Sequence, residues 1–196
     1  MNLVFDIFQG IGIAAAIGIR PFLPALAVGV LAEGDVQIDF KGTHFHFLQG
    51  TPWLLAMALC AILLAVAERR LGEARFERQP LLSGLAAPAL ALAALLFAAA
   101  LARSHHVSWP GYPAGVACAL IALAAIRPLF ARARARLDAP ASGAVSLYAE
   151  GIAVVLAVLS VLAPPAGVLG LAALVWMLVA ALRRRGKKYA GLRILR

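Results

Sequence analysis

Long apolar segments separated by short polar ones account for most of the chain. The apolar segments cover about residues 3–32, 52–68, 81–102, 114–131, 145–163 and 167–183. Each approaches or exceeds the roughly 18 to 20 apolar residues that a helix needs to cross a bilayer. The pattern predicts an all-α fold, a polytopic transmembrane bundle of about six spans. Because the connections are short, residues 1–196 are predicted to form a single membrane domain.

The first apolar segment contains a charge that divides it. Between residues 3 and 32 the ionisable residues are Asp6 and Arg20 alone. An arginine near the centre of a membrane helix costs roughly 2.5 to 3.5 kcal/mol, and it is kept mainly where it has a partner or water. Pro21 and Pro24 follow directly, and each removes a backbone donor and disrupts a helix. The sequence predicts one span broken near Arg20 to Pro24, with a polar site near the membrane midplane.

Two glutamates are candidate partners for Arg20. Glu150 lies within the fifth span, and Glu68 lies at the end of the second. A carboxylate close to hydrocarbon is costly unless it is paired or hydrated. Two interpretations remain open: a binding site in which Arg20 contacts a small anionic ligand, or a structural ion pair that fixes the register of the helices.

A short motif occurs twice. The segments IGIRPFLP at 17–24 and AAIRPLFA at 124–131 share an Ile-Arg-Pro core. The second copy adds Arg127 as a candidate site residue and Pro128 as a further predicted helix break. If the copies belong to two three-span halves, the halves have opposite orientations, giving the 3+3 inverted repeat found in many transporters. The alternative is coincidence in a chain rich in Ala, Leu and Arg.

Small residues recur along the first span. Gly10, Ala14 and Gly18 follow one another at intervals of four residues, which places them on one side of a helix. Small residues at this spacing let a second membrane helix approach closely. We therefore predict that this stripe is a helix-packing surface.

Residues 33–50 change to alternating apolar and polar residues on both sides of a Lys-Gly-Thr turn, which predicts a small outer β-hairpin over 35–48. His44 and His46 are two apart on one predicted strand and therefore point the same way. With His105 and His106 of the other outer loop, they are the candidates for a transition-metal site. This spacing has low specificity, so no metal is predicted.

The composition agrees with a membrane protein. Hydrophobic residues make up 63% of the chain and charged residues 14%, and the mean hydropathy is +0.91. These values lie outside the range of soluble globular domains. The lipid bilayer is therefore the first predicted partner.

The net charge of +9 is unevenly distributed. Fifteen of the eighteen lysines and arginines lie around the ends of the second, fourth and sixth spans, whereas Lys41 and Arg103 lie on the opposite side. Cytoplasmic segments carry such an excess, so both termini are predicted to be cytoplasmic in a bacterial inner membrane. The basic tail at 183–196 suits binding to anionic lipid. The same distribution argues against nucleic-acid binding.

Motifs for catalysis are absent from the sequence. It contains no metalloprotease, phosphate-binding-loop or serine-hydrolase motif, so neither an enzyme nor a cofactor is predicted. The predicted function is a small transporter or channel-like permease with a polar site at Arg20. The alternative is a non-transporting membrane scaffold with a structural Arg20–Glu150 pair, and small-residue helix faces are compatible with a homo-oligomer.

The opening segment also resembles a known family. In the run GIGIAAAIGIRPFLPALAVGV, Gly18, Arg20, Phe22 and Pro24 match a Gly-x-Arg-x-Phe-x-Pro-like pattern that follows a Gly/Ala-rich first helix. This is similar to an uncharacterised bacterial membrane-protein family, domain of unknown function 4126, mainly over residues 10–30. The resemblance implies membership and a similar multi-span fold. It implies no catalytic residue.

Overall fold

The structure, a computed structural model, describes residues 3–71, 79–104, 106–134 and 139–187. These residues form seven α-helices and no strand. The helices are α1 (Leu3–Ile19), α2 (Phe22–Glu33), α3 (Thr51–Leu71), α4 (Gln79–Ala102), α5 (Gly111–Arg134), α6 (Ala139–Leu162) and α7 (Pro164–Lys187). Five of them, α3 to α7, are long and apolar enough to cross a membrane, whereas α1 and α2 are shorter apolar helices. The fold is a helical membrane bundle, as the sequence predicts.

The chain reverses between α1 and α2. Asp6, at the start of α1, and Gln37, just after α2, both bind the Arg103 side chain beyond the end of α4. At the other end of α1, Arg20 contacts Glu68, which lies near the end of α3. The two helices therefore run in opposite directions, and the bundle has an Arg20 end and an Arg103 end.

The two prolines have different roles in this reversal. The backbone N–H of Arg20 still donates to the carbonyl of Ala16 at 3.1 Å, which is the last helical hydrogen bond of α1. Pro21 has no N–H to continue the series. Pro24 lies in the first turn of α2, where a helix needs no backbone donor, so it is compatible with the new helix. Pro21 therefore ends one helix and Pro24 helps to begin the next.

The reversal corrects two predictions about the first segment and one about the two ends of the chain. It forms two antiparallel helices instead of one broken span, and Arg20 lies at one end of the bundle instead of near the midplane. At the other end of the chain, Gly167 of α7 lies beside Gly12 and Leu178 packs in a cluster with Ile19, so α7 runs toward the Arg20 end. The start of α1 and the end of α7 therefore lie at opposite ends of the bundle, whereas the sequence predicts both termini on the same, cytoplasmic side. Prolines after an apolar helix are compatible with a kink and with a reversal of the chain, so the sequence pattern does not distinguish the two.

α1 is the central helix of the bundle. It packs against α4, α5, α6 and α7, and every residue from Gly12 to Ile19 is buried. Its predicted packing stripe lies at these contacts: Ala14 is fully buried, Gly10 faces the ring of Phe97, and Gly18 faces the backbone of Ala119. Small residues on α1 allow four helices to surround it closely.

α2 and α3 lie to one side of this core, with the loop between them. α3 packs on α2 and on the 3-10 helix His46–Gln49 that precedes it. The loop has no strand, so the predicted hairpin over 35–48 is wrong. Irregular turns bury Ile38, Phe40, Phe45 and Leu48, whereas Val36 and Phe47 are exposed. The Gln49 side chain accepts a hydrogen bond from the Phe40 N–H at 3.0 Å. Alternation in this segment reflects a folded loop, since alternate residues can be buried without strand pairing.

The two copies of the Ile-Arg-Pro motif have different backbones. The first copy ends α1, whereas Pro128 of the second lies inside the continuous helix α5 and does not end it. The prediction that Pro128 breaks a helix is therefore wrong. The seven described helices also do not divide into two sets of three, and the internal repeat stays a prediction. The other predicted spans each coincide with one helix, and the helix ends differ from the predicted bounds by no more than a few residues.

Two glycine variants test the central position of α1. A Cβ added at Gly18 would lie 2.6 Å from the carbonyl oxygen of Ala119, which is backbone and cannot rotate away. We expect Gly18→Ala to destabilise the fold by about 1 to 3 kcal/mol and to lower the Tm of the purified protein in detergent. Gly151→Ala is the matched control, because a Cβ there meets no described atom within 4 Å. Equal Tm values for the two variants would contradict close packing at Gly18.

A second test concerns the two ends of the chain. Because α1 begins at the Arg103 end and α7 finishes at the Arg20 end, reporters fused before Met1 and after Arg196 are expected on opposite sides of the membrane. Charge distribution predicts that the C-terminal reporter is cytoplasmic. Paired fusions to alkaline phosphatase and a fluorescent protein measure this, and the same location for both reporters would contradict the helix order.

Candidate functional site

Four polar side chains from three parts of the chain meet at the Arg20 end. Arg20 comes from the reversal between α1 and α2, Glu68 from the last turn of α3, and Ser146 and Glu150 from successive turns of α6. Ser146 and Glu150 are on one face of α6 because residues four apart are neighbours on a helix. We call these four residues the Arg20 network.

Arg20 is bound from both sides in this network. Its Nη1 donates to Oε1 of Glu68, and its Nη2 donates to Oγ of Ser146. The Ser146 hydroxyl in turn donates to Oε2 of Glu68 at 2.6 Å. Arg20, Glu68 and Ser146 therefore form a closed hydrogen-bonded triangle that satisfies both oxygens of Glu68.

Glu150 is close to this triangle but outside it. Its Oε1 lies 4.0 Å from Arg20 Nη1, and no hydrogen bond to its carboxylate occurs among the described residues. The side chains of Arg20, Glu68 and Glu150 are 11%, 15% and 20% exposed. With all three ionised, the network carries one positive and two negative charges in a largely buried position.

The network joins two packed groups of helices. Glu68 lies on α3, which packs on α2 and the loop, whereas Ser146 and Glu150 lie on α6, which packs on the central helix α1 and also on α2. Ser146 is the second residue of the apolar stretch Val145–Leu162, so the network lies near one end of the apolar layer. Hydrogen bonds across the seam between these groups hold α3 to the core at this end.

A second charged network closes the other end of α1. Arg103 Nη2 donates to Oδ1 of Asp6 at 2.9 Å, and its Nη1 donates to the carbonyl oxygen of Gln37. The Asp6 side chain is fully buried and that of Arg103 is 10% exposed. Gln37 holds a left-handed backbone, with φ of 57°, which is uncommon for a residue other than glycine. We call Asp6, Arg103 and Gln37 the Arg103 network.

Buried polar groups continue inward from Asp6 for about two turns. Gln9 is buried and its Nε2 donates to the carbonyl of Val161 on α6 at 3.4 Å. Neither Asp6 Oδ2 nor Gln9 Oε1 has a hydrogen-bond partner in the described part of the chain. Ser160, next to Gly12, is also buried, and its hydroxyl donates to the carbonyl of Leu156. Beyond this point, the α1 residues Ile13 to Ile17 and Ile19 belong to the apolar clusters of the core.

Other candidate residues are not part of either network. Arg127 is exposed on α5, and His44 and His46 are exposed in the loop after α2. His106 is half-buried, and His105 lies outside the described residues. Within the ranges that the structure describes, no group of three His, Cys, Asp or Glu side chains could hold a metal ion. Residues 188–196 of the basic tail are also outside the described residues.

The sequence pattern indicated only part of this arrangement. It paired Arg20 with Glu150 first and Glu68 second, whereas Glu68 makes the direct contact and Glu150 the longer one. It did not indicate Ser146 or the Asp6–Arg103 pair. The available signal was that Asp6 stands alone in an apolar run, where a charge needs a partner. Arg103 follows α4, so its meeting with Asp6 depends on how the helices pack.

Comparison of the chain with models of known protein families, with curated proteins and with solved structures finds no match. The resemblance to domain of unknown function 4126 therefore stays a prediction. Fold and composition define the class of protein: a multi-helix membrane bundle with charged networks at the two ends of its central helix.

The buried Asp6–Arg103 pair gives a stability test. Replacing Arg103 by glutamine leaves Asp6 buried without its charged partner, and breaking a buried pair costs about 3 to 5 kcal/mol. We expect a clear loss of Tm in Arg103→Gln and partial recovery in the double variant with Asp6→Asn. Lys41→Gln is the control, because Lys41 pairs with Asp35 on the surface, where pairs contribute about 1 kcal/mol or less. A loss no larger than that of Lys41→Gln would contradict the structural role of the pair.

Proposed function

We propose that the protein is a small transporter of the bacterial inner membrane whose pathway lies beside α1. The Arg20 network closes this pathway at one end and the Arg103 network closes it at the other. The observation that carries the proposal is the presence of a largely buried ionic network at each end of one central helix. A membrane protein retains such costly charges mainly where they serve a polar pathway or site.

Packing supports a pathway at this position. Transporters commonly change access by moving one packed group of helices against another around a fixed site. The Arg20 network crosses the seam between α3 and the core, and the Arg103 network joins α1 to the segment that follows α2. Opening either set of hydrogen bonds frees the α2–α3 group at that end, where its remaining contact with the core is the apolar packing of α2.

Small residues line the stretch of α6 between the two networks, which we call the interval. Ala153 and Ala157 of α6 are fully buried between Glu150 and Ser160. Side chains of this size leave room when helices move apart, because they fill little of the space between backbones. We infer that the closed interval around Ala157 becomes accessible when one network opens.

The distribution of basic residues supports the orientation. The chain segments with excess arginine and lysine follow α3, α5 and α7 at the Arg20 end, whereas Lys41 and Arg103 belong to the opposite end. We therefore assign the Arg20 end to the cytoplasm, where the basic segments contact anionic lipid. Since Glu68 already neutralises Arg20, a small anion is a poorer ligand for this site than the sequence suggested. Membership of domain of unknown function 4126 remains part of the proposal.

A non-transporting scaffold is the second candidate. The direct contacts of Arg20 with Glu68 and Ser146 favour it, because a satisfied ion pair can fasten α3 to the core without any transport. In that case the interval around Ala157 stays closed in every state of the protein.

Cysteine accessibility distinguishes the two candidates. Ala157→Cys is introduced into a background with Cys60→Ala and Cys118→Ala, and sided membrane vesicles are treated with a membrane-impermeant thiol reagent. For a transporter, adding Glu68→Gln exposes the new thiol from the cytoplasmic side, and adding Asp6→Asn exposes it from the outer side.

The matched control for this experiment is Ile152→Cys, at an exposed position of α6 outside the proposed pathway. Its labelling is expected to be the same with and without Glu68→Gln and Asp6→Asn. If the thiol introduced by Ala157→Cys is protected from both sides in both variants, the result contradicts the transporter and favours the scaffold.

A further inference from the structure

The Arg20 network has more acidic groups than its single arginine neutralises. Arg20 lies between two carboxylates, and a full negative charge left over in a low-dielectric environment is costly unless something neutralises it. We propose that Glu150 is a proton-binding residue, and that its protonation state decides which glutamate Arg20 binds. This inference rests on the proposed transport function and names its coupling ion as the proton.

The hydrogen bonds identify which glutamate holds the proton. Both oxygens of Glu68 accept hydrogen bonds, one from Arg20 and one from Ser146. Glu150 is 4.0 Å from Arg20 and accepts no hydrogen bond from the described residues. The proposal therefore assigns the proton to Glu150, because its carboxylate oxygens are not already occupied by a donor of the described residues.

The surroundings of Glu150 favour a proton over a metal cation. The charged side chains near it are Arg20, from the junction of α1 and α2, and Glu68 from α3. Among the other helices packed against α6, α2 carries its one ionisable residue, Glu33, at the far end, and Arg127 of α5 and Arg183 of α7 are exposed. A metal ion needs several ligands and would be repelled by Arg20, and no metal-binding group of three occurs among the described residues. A proton needs one carboxylate oxygen.

Release of the proton from Glu150 changes which glutamate Arg20 binds. A proton from water at the Arg20 end binds the Glu150 carboxylate and forms a neutral carboxylic acid, while the guanidinium stays charged throughout. When the proton leaves, the Glu150 carboxylate competes with Glu68 for Arg20. Movement of Arg20 toward α6 weakens its bond to α3, which packs on α2 and the preceding loop. Deprotonation therefore loosens the Arg20 end, and protonation closes it.

Infrared spectroscopy of the full-length protein in lipid bilayers tests this directly. We expect the carbonyl band of a buried carboxylic acid at low pH, which disappears as the pH rises. Glu150→Gln removes this titrating band. In Glu68→Gln, Glu150 is the one carboxylate left beside Arg20, so we expect the band to titrate at a lower pH than in the unchanged protein, since an adjacent arginine favours the charged carboxylate. The second variant keeps the test usable if Glu150→Gln does not fold.

A control separates Glu150 from other carboxyl groups. Glu33→Gln changes an exposed glutamate at the far end of α2, outside both networks. This variant is expected to keep the band and its titration. Loss of the band in Glu33→Gln, its persistence in Glu150→Gln, or an unchanged titration in Glu68→Gln overturns the proposal. The infrared measurement does not depend on transport. A scaffold with a protonated Glu150 would show the band but no change in thiol accessibility, and a transporter without a protonated Glu150 would show the reverse.

Discussion

The reversal of the chain at Arg20 and Pro21 is the constraint on which the rest of the structure depends. It places a permanent charge at the point where two apolar helices meet and where α1 has no further backbone hydrogen bond to make. A guanidinium in this position needs acceptors from neighbouring helices. Glu68 and Ser146 supply them, so α3 and α6 are brought to the same end of the bundle.

The central helix is apolar in the middle and charged at its ends. Its small residues permit close packing on four sides, and that packing leaves its terminal charges no access to solvent except at the ends of the bundle. Asp6 is consequently paired with Arg103, and Arg20 with Glu68. The two networks lie where the α2–α3 group meets the core, and the apolar packing of α2 on α6 and α1 adds to that contact.

The two glutamates of the Arg20 network differ through their neighbours and not through their chemistry. Glu68 is held by two donors, whereas Glu150 faces the arginine at a longer distance without a donor of its own among the described residues. One arginine between two unequal carboxylates has two alternative partners. In the proposed transporter, this arrangement links the charge state of α6 to the attachment of α3, and so couples a proton to a change of access.

The sequence by itself determined the class of fold, most helix positions and the importance of Arg20, because apolar length and an isolated charge are local properties. It also named Glu68 and Glu150 as partners, since few acidic residues lie near the apolar segments. Only the tertiary structure decided that the chain reverses at Pro21. It also decided that Glu68, and not Glu150, contacts Arg20 directly, and that Asp6 pairs with Arg103. These facts depend on which helix ends lie side by side, and helix packing brings together residues that are far apart in the chain, such as Arg20 and Ser146, which are 126 positions apart.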